Sequence, residues 1–178
     1  MSNAVLQNIK ERSSTRAYTT QPLTKEQIQT LVEVALQAPT ARNDQELFFT
    51  VMNGNSALLQ EINADFYASR GVANPTANFY YSAPLVILIS ARENYTFEDV
   101  DAGIAVENLA LASESMGLGN VIIGCIKALL NGDKKAEYDA KLGIPEGYSF
   151  KIAIAIGYKG ASKVPHEYNE ATLVKYID

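Results

Sequence analysis

The 178-residue chain has one cysteine, one histidine and no tryptophan. A single cysteine, Cys125, excludes an intrachain disulfide framework and suits a reducing cytoplasm. A single histidine, His166, would have to serve any histidine-based triad or zinc site, and no second ligand stands at metal spacing from it, so no metal centre is expected. Positive charge is also scarce. Fifteen Lys and Arg against twenty Asp and Glu give a net charge of −5, which argues against a general nucleic-acid binder and requires any anion site to be local. The longest strongly apolar run, residues 83–91, falls well short of the ~20 residues of a membrane-spanning helix. The first seven residues lack the basic stretch and apolar core of a secretory signal. The expectation is one cytoplasmic domain over residues 1–178, long enough to bury roughly 70% of its unfolded surface.

What is present is a regular alternation of helical and strand patterns. Thr24 with Gln27 three residues on is a capping box, and Ile28, Leu31, Val32, Ala35 and Leu36 then recur at helical spacing until Pro39. Residues 47–52 read as a strand, and Ser56 starts a helix of roughly ten residues with Leu58, Leu59, Ile62 and Phe66 inward. Residues 70–81 read as an ordered loop, and residues 85–89 as a strand buried on both faces. Thr96 is the expected cap of a long helix over residues 99–116, rich in Ala, Gly and Ser and able to approach another backbone closely. It ends at Gly117-Leu118-Gly119. Residues 121–126 form a third strand with Cys125 buried in it, a short helix runs to Leu142, and residues 150–156 form a fourth strand. The strand connections are too irregular for a doubly wound parallel sheet, so the pattern predicts an α+β layered domain. Residues 160–178 are polar and suited to dock on another subunit.

Two segments carry the chemistry. Arg12-Ser13-Ser14-Thr15-Arg16 gathers two guanidiniums and several hydroxyls, donors that match phosphate oxygens. Ala38-Pro39-Thr40-Ala41-Arg42-Asn43-Asp44-Gln45 offers neutral donors and acceptors suited to the edge of a heteroaromatic ring. Each alone reads as ordinary surface, exposed arginines in one case and a polar loop in the other. Gly117 and Gly119 alone mean a helix cap and a tight turn, and they do not open a helix after a strand as a Rossmann motif requires.

Taken in order, these motifs resemble the FMN-dependent nitroreductase family, whose Arg-Arg-Ser-x-Arg-x-aromatic motif precedes Ala-Pro-Ser-x-x-Asn-x-Gln-Pro-Trp. The segments 107–124, 142–148 and 154–158 resemble the family's helix-turn-strand signature, closing loop and last core strand. The resemblance implies a three-layer α-β-α domain with a mixed, mainly antiparallel sheet, and FMN bound at the interface of a homodimer. It implies that Arg12, Ser13 and Ser14 face the phosphate and that Arg16 lies at the pyrimidine end of the ring. Pro39, Thr40, Asn43 and Gln45 line the flavin, often from the neighbouring subunit, while the backbone of Ile123 and Gly124 approaches N5 and O4. Lys163 stands where the family keeps a basic residue for the phosphate; a solvated tail lysine is the other reading. NADH or NADPH would reduce the flavin, which then reduces a nitroaromatic, quinone or related small acceptor by a ping-pong mechanism, with no catalytic side chain. The chain departs from the motif at Glu46-Leu47, where the family has Pro-Trp, and at Ser13, which removes one phosphate counter-charge. Those departures keep open a flavin-binding sensor or storage protein, an FMN enzyme that does not use nicotinamide, and a non-flavin phosphoester binder.

Overall fold

The computed structural model describes residues 3–73, 75–161 and 167–177. Helix α1 (Ala4–Glu11) begins at Asn3, whose side chain accepts from the Leu6 N–H. The extended segment that follows reaches α2 (Lys25–Leu36), where both halves of the Thr24/Gln27 capping box form as expected. A single 3₁₀ turn (Ala41–Asn43) leads into β1 (Leu47–Asn53), and Ser56 caps α3 (Ala57–Ala68). Then come β2 (Leu85–Arg92), α4 (Glu98–Ser115) and β3 (Leu118–Ile123). Two short helices, α5 (Lys127–Leu130) and α6 (Lys135–Leu142), precede the long β4 (Tyr148–Tyr158) and a final turn, α7 (Glu170–Leu173).

The four strands lie in the order β1-β2-β4-β3, and every strand pairing is antiparallel. The expected mixed character is confined to one parallel bridge, Ser14 to Asn120. Strand alternation sends Val86, Leu88, Ala153 and Ala155 to one face, against Leu59, Ile62 and Phe66 of α3 and Tyr138 of α6. It sends Leu85, Ile87, Ile89, Ile154 and Ile156 to the other, against Leu31 of α2 and Ala105 and Leu109 of α4. Two cores flank one sheet, the three-layer arrangement expected from the sequence.

Four sequence expectations need correction. Thr96 does not cap α4: Phe97 occupies the N-cap position without a side-chain bond, and the acids Glu98, Asp99 and Asp101 in the first turn complement the helix dipole instead. Strand β3 begins at Leu118, because Gly119 and Asn120, read as a turn, pair with Gly157 and Ile156 of β4. The strand therefore stops at Ile123. Cys125 lies beyond it and is exposed, not buried in a strand. Between β3 and α6 the chain makes the extra helix α5, too short to leave a periodic signal.

Register between β2 and β4 passes from Ile89↔Ile152 to Ser90↔Phe150, leaving Lys151 as the extra residue of a bulge. A bulge re-aims its side chain. The Lys151 side chain is only 7% exposed and its Nζ sits 2.9 Å from Glu98 Oε1 at the start of α4.

Candidate functional site

Residues 12–16 form a strap laid along the start of β3. The Thr15 N–H donates to the Asn120 carbonyl at 2.7 Å, and Ser14 bridges to the same residue. Asn120 is buried and itself fixed, its Nδ2 donating to the Ala110 carbonyl at 2.9 Å and to Ser113 Oγ at 2.8 Å. Tyr18 closes the strap, its hydroxyl directed at the carbonyls of Thr15 (2.9 Å) and Ala155 (3.1 Å). Burial pushes the Tyr18 phenol far above its ordinary value, so it stays a neutral donor. Gly119 permits this packing: a Cβ there would lie 2.6 Å from Thr15 Oγ1 and 2.8 Å from Lys159 Cγ.

The strap's backbone is held, but its side chains are not. Arg12 makes only a 3.8 Å ion pair from Nε to Glu107 of α4, and Arg16 lies 5.9 Å above the Tyr81 ring. Among the described residues, the side chains of Arg12, Ser13, Ser14 and Arg16 form no hydrogen bond. Two guanidiniums and two hydroxyls thus remain as donors on a rigid backbone, which fits a multiply charged oxyanion.

Along β3 from the strap lie Ile123 and Gly124. Gly124 borders a hollow of about 320 Å³ walled by Ala102, Gly103 and Val106 of α4, Ile122 of β3, and Lys127 and Lys151. Gly124 is exposed, and a Cβ there would meet only the tip of Ile152 at 3.4 Å, so the backbone at this point is approachable. Cys125 follows, exposed at the surface, with desolvation by its neighbours raising its thiol pKa.

Loop 40–45 is built differently. Arg42, Asn43 and Gln45 have φ of 58°, 57° and 50°, left-handed conformations that are uncommon for side-chain-bearing residues and need external support. Three bonds supply it. The Ala41 N–H donates to Asp101 Oδ2 at 2.9 Å, the Tyr95 hydroxyl donates to the Ala41 carbonyl at 2.8 Å, and the Gln45 N–H donates to Thr40 Oγ1 at 3.0 Å. Pro39, Asn43 and Gln45 are exposed, and Thr40 and Gln45 border a separate hollow of about 350 Å³ with Leu36, Leu47 and Phe49. Glu46, next in the chain, is 1% exposed. Sequence reasoning flagged Glu46 only as a departure from the motif and passed over Asp101 and Tyr95, which show no pattern by themselves.

Strap and loop attach to α4 at different residues, the strap at Glu107 and the loop at Asp101. Helix residues advance about 100° each. Gly103 and Glu107, which face the hollow and Arg12, therefore share one side of α4, while Asp101, which holds the loop, is about 200° round from Gly103. The structure lays the strap of Arg12, Ser13 and Ser14 on β3 at Asn120, with Ile123 and Gly124 at that strand's far end, and anchors the loop of Thr40, Asn43 and Gln45 to Asp101 of α4 through Ala41. Lys163 and His166 fall outside the described residues. A larger hollow of about 640 Å³, bordered by Asp65, Arg70 and Lys134, contains none of the expected site residues.

The sequence profile of the nitroreductase family matches residues 9–158, and the chain belongs to that family. It is 27% identical over 165 residues to an NADPH-flavin oxidoreductase of Vibrio harveyi, covering 88% of this chain and 66% of that enzyme's length. Among solved structures it is similar to a nitroreductase with bound FMN from Desulfitobacterium hafniense, with 29% identity, TM-score 0.89 and the whole of both chains covered. It is also similar to an FMN-dependent nitroreductase from Clostridium difficile, with 28% identity and TM-score 0.87, over 98% of this chain and 99% of that one.

Proposed function

We propose that the chain is an FMN-dependent oxidoreductase that accepts electrons from NADH or NADPH and delivers them to small acceptors such as nitroaromatics or quinones. It works as a cytoplasmic homodimer with each flavin site shared between subunits. The observation that carries this reading is the strap of donors without hydrogen bonds, Arg12, Ser13, Ser14 and Arg16, fixed on β3, whose far end leads to the approachable backbone of Gly124, in a chain of the nitroreductase family.

FMN, when bound, supplies the two-electron chemistry between nicotinamide and acceptor. Arg12, Ser13 and Ser14 would hold its phosphate, with Lys163 as a further counter-charge. The fixed charge of Arg16 favours electron acceptance by a ring it faces. Gly124, with Ile123 before it, would bring main chain to the flavin, and the exposed Gly124 backbone needs no particular side chain. Pro39, Thr40, Asn43 and Gln45 would complete the site from the partner. The attachment of strap and loop to different faces of α4 supports that arrangement, as do exposed apolar residues: Val100 is 57% exposed, Leu36 67% and Val5 65%. The lone exposed cysteine agrees with a reducing compartment.

An anaerobic visible spectrum of FMN-loaded protein, recorded before and after adding NADPH or NADH, tests the reading. Bleaching of the flavin's long-wavelength band is expected. Bound flavin that stays yellow contradicts the nicotinamide step, and failure to bind FMN contradicts the whole assignment.

A further inference from the structure

Glu46 stands where the family motif continues with proline. It is 1% exposed, and neither of its carboxylate oxygens accepts a hydrogen bond among the described residues. Its carboxyl instead meets that of Asp101, which is itself 2% exposed. A carboxylate so deep and without a donor is strongly disfavoured, and two carboxyls can bond to each other only if one carries a proton.

Resting on the reading of loop 40–45 as a wall of the flavin site, we infer that Glu46 is a positioning residue: protonated, it donates to Asp101, and this buried proton clasps the loop in its binding conformation. The connection runs through few atoms. Asp101 accepts the hydrogen bond of protonated Glu46 while its Oδ2 accepts the Ala41 N–H at 2.9 Å, and Tyr95 holds the Ala41 carbonyl from the other side. The strained residues Arg42, Asn43 and Gln45 follow directly.

The charged neighbours agree. From α4 comes Asp101, from the loop Asp44, from the connection before α4 Tyr95, and from the end of β2 Arg92. Among the described residues, Arg92 is the cation of this group. Its N–H donates to the Glu46 backbone carbonyl, but its guanidinium is half exposed, 3.9 Å from Asp44 and 5.2 Å above the Tyr95 ring, so it supplies no donor to the Glu46 carboxyl. Burial is the main cause that raises the Glu46 pKa above the ordinary 4.5, and Asp101 adds to it. As pH rises past the raised value, Glu46 loses the proton that it donates to Asp101 and the clasp opens.

The test compares wild-type protein with Glu46→Gln, which keeps the donor and cannot ionise, in amide hydrogen exchange across pH on the full chain with and without FMN. In the wild type the protection factor of the Ala41 amide should fall about tenfold with rising pH, the worth of one hydrogen bond to a charged group. In Glu46→Gln it should stay level. FMN affinity should follow Ala41 protection in both proteins. A wild-type profile without a step overturns the inference and needs no variant to read. A step that persists in Glu46→Gln overturns it too, as does Ala41 protection that falls while FMN affinity stays level. If FMN binds neither protein, the flavin reading fails and takes the positioning role with it, while a step in Ala41 protection still reports the acid pair.

Discussion

The strap and loop 40–45 bring similar polar residues to a ligand by opposite means. The strap keeps an unstrained backbone, pinned by β3 through Asn120, and among the described residues leaves its guanidiniums and hydroxyls without hydrogen bonds. The loop has three left-handed non-glycine residues, and its neighbours hold it in shape: Asp101, Tyr95 and the buried Glu46. A phosphate is a strong, nearly isotropic charge, so a rigid backbone with free cations suffices to bind it. The edge of a heteroaromatic ring must be matched bond by bond, which justifies a strained loop anchored from below.

The comparison breaks most severely at Gly119. Gly119→Val would push two methyls into Thr15 and Lys159, costing about 3 kcal/mol of stability by the usual penalty for overpacking and unseating the strap while leaving the loop's bonds alone. Denaturant unfolding, read beside FMN retention, checks both effects. Arg12→Ala should leave stability within about 0.5 kcal/mol, because the 3.8 Å pair with Glu107 is partly solvated. It should weaken FMN by about 2 kcal/mol, roughly 30-fold, the worth of charge-assisted bonds to phosphate. Fluorescence titration of flavin reads this directly; an unchanged affinity removes Arg12 from the phosphate site.

Tyr95→Phe sharpens the other side of the comparison. It deletes the 2.8 Å bond to the Ala41 carbonyl and should cost about 1 kcal/mol. FMN should dissociate faster, with the strap's amide protection unchanged. The smallest effect belongs to a surface cluster far from both regions. Lys141 pairs with Glu61 and Glu137 at 2.5 and 2.6 Å, yet all three side chains are more than a third exposed. Lys141→Ala should therefore cost no more than about 0.5 kcal/mol, measured as a small shift in thermal midpoint that shrinks further at high salt.

Much of the fold was legible because its signals are local. The Thr24/Gln27 box, the Ser56 cap and the apolar run of β2 each depend on a few adjacent residues. Local reading failed where distant chain decides the conformation. Gly119 and Asn120 resemble turn residues, yet they are strand because the strap and β4 flank them. Cys125 was expected in the strand for the same reason, since the strand's frame was shifted by three residues. The phosphate side of the candidate site was readable from Arg12 and Ser14, whose residue types advertise the chemistry. Its support was not. Asp101 looks like any first-turn acid, and only the fold reveals that it meets Glu46 and the Ala41 N–H.

The central claim is that a complete flavin site takes its strap from one chain and loop 40–45 from another. Mixing separately purified Arg12→Ala and Asn43→Ala proteins, each defective in FMN binding, and letting subunits exchange tests it most directly. A mixed dimer would contain one site with both defects and one with none, so FMN binding should return to about a quarter of all sites after random exchange. If mixing restores no binding, strap and loop serve the same site within one chain, and the shared-site account is wrong.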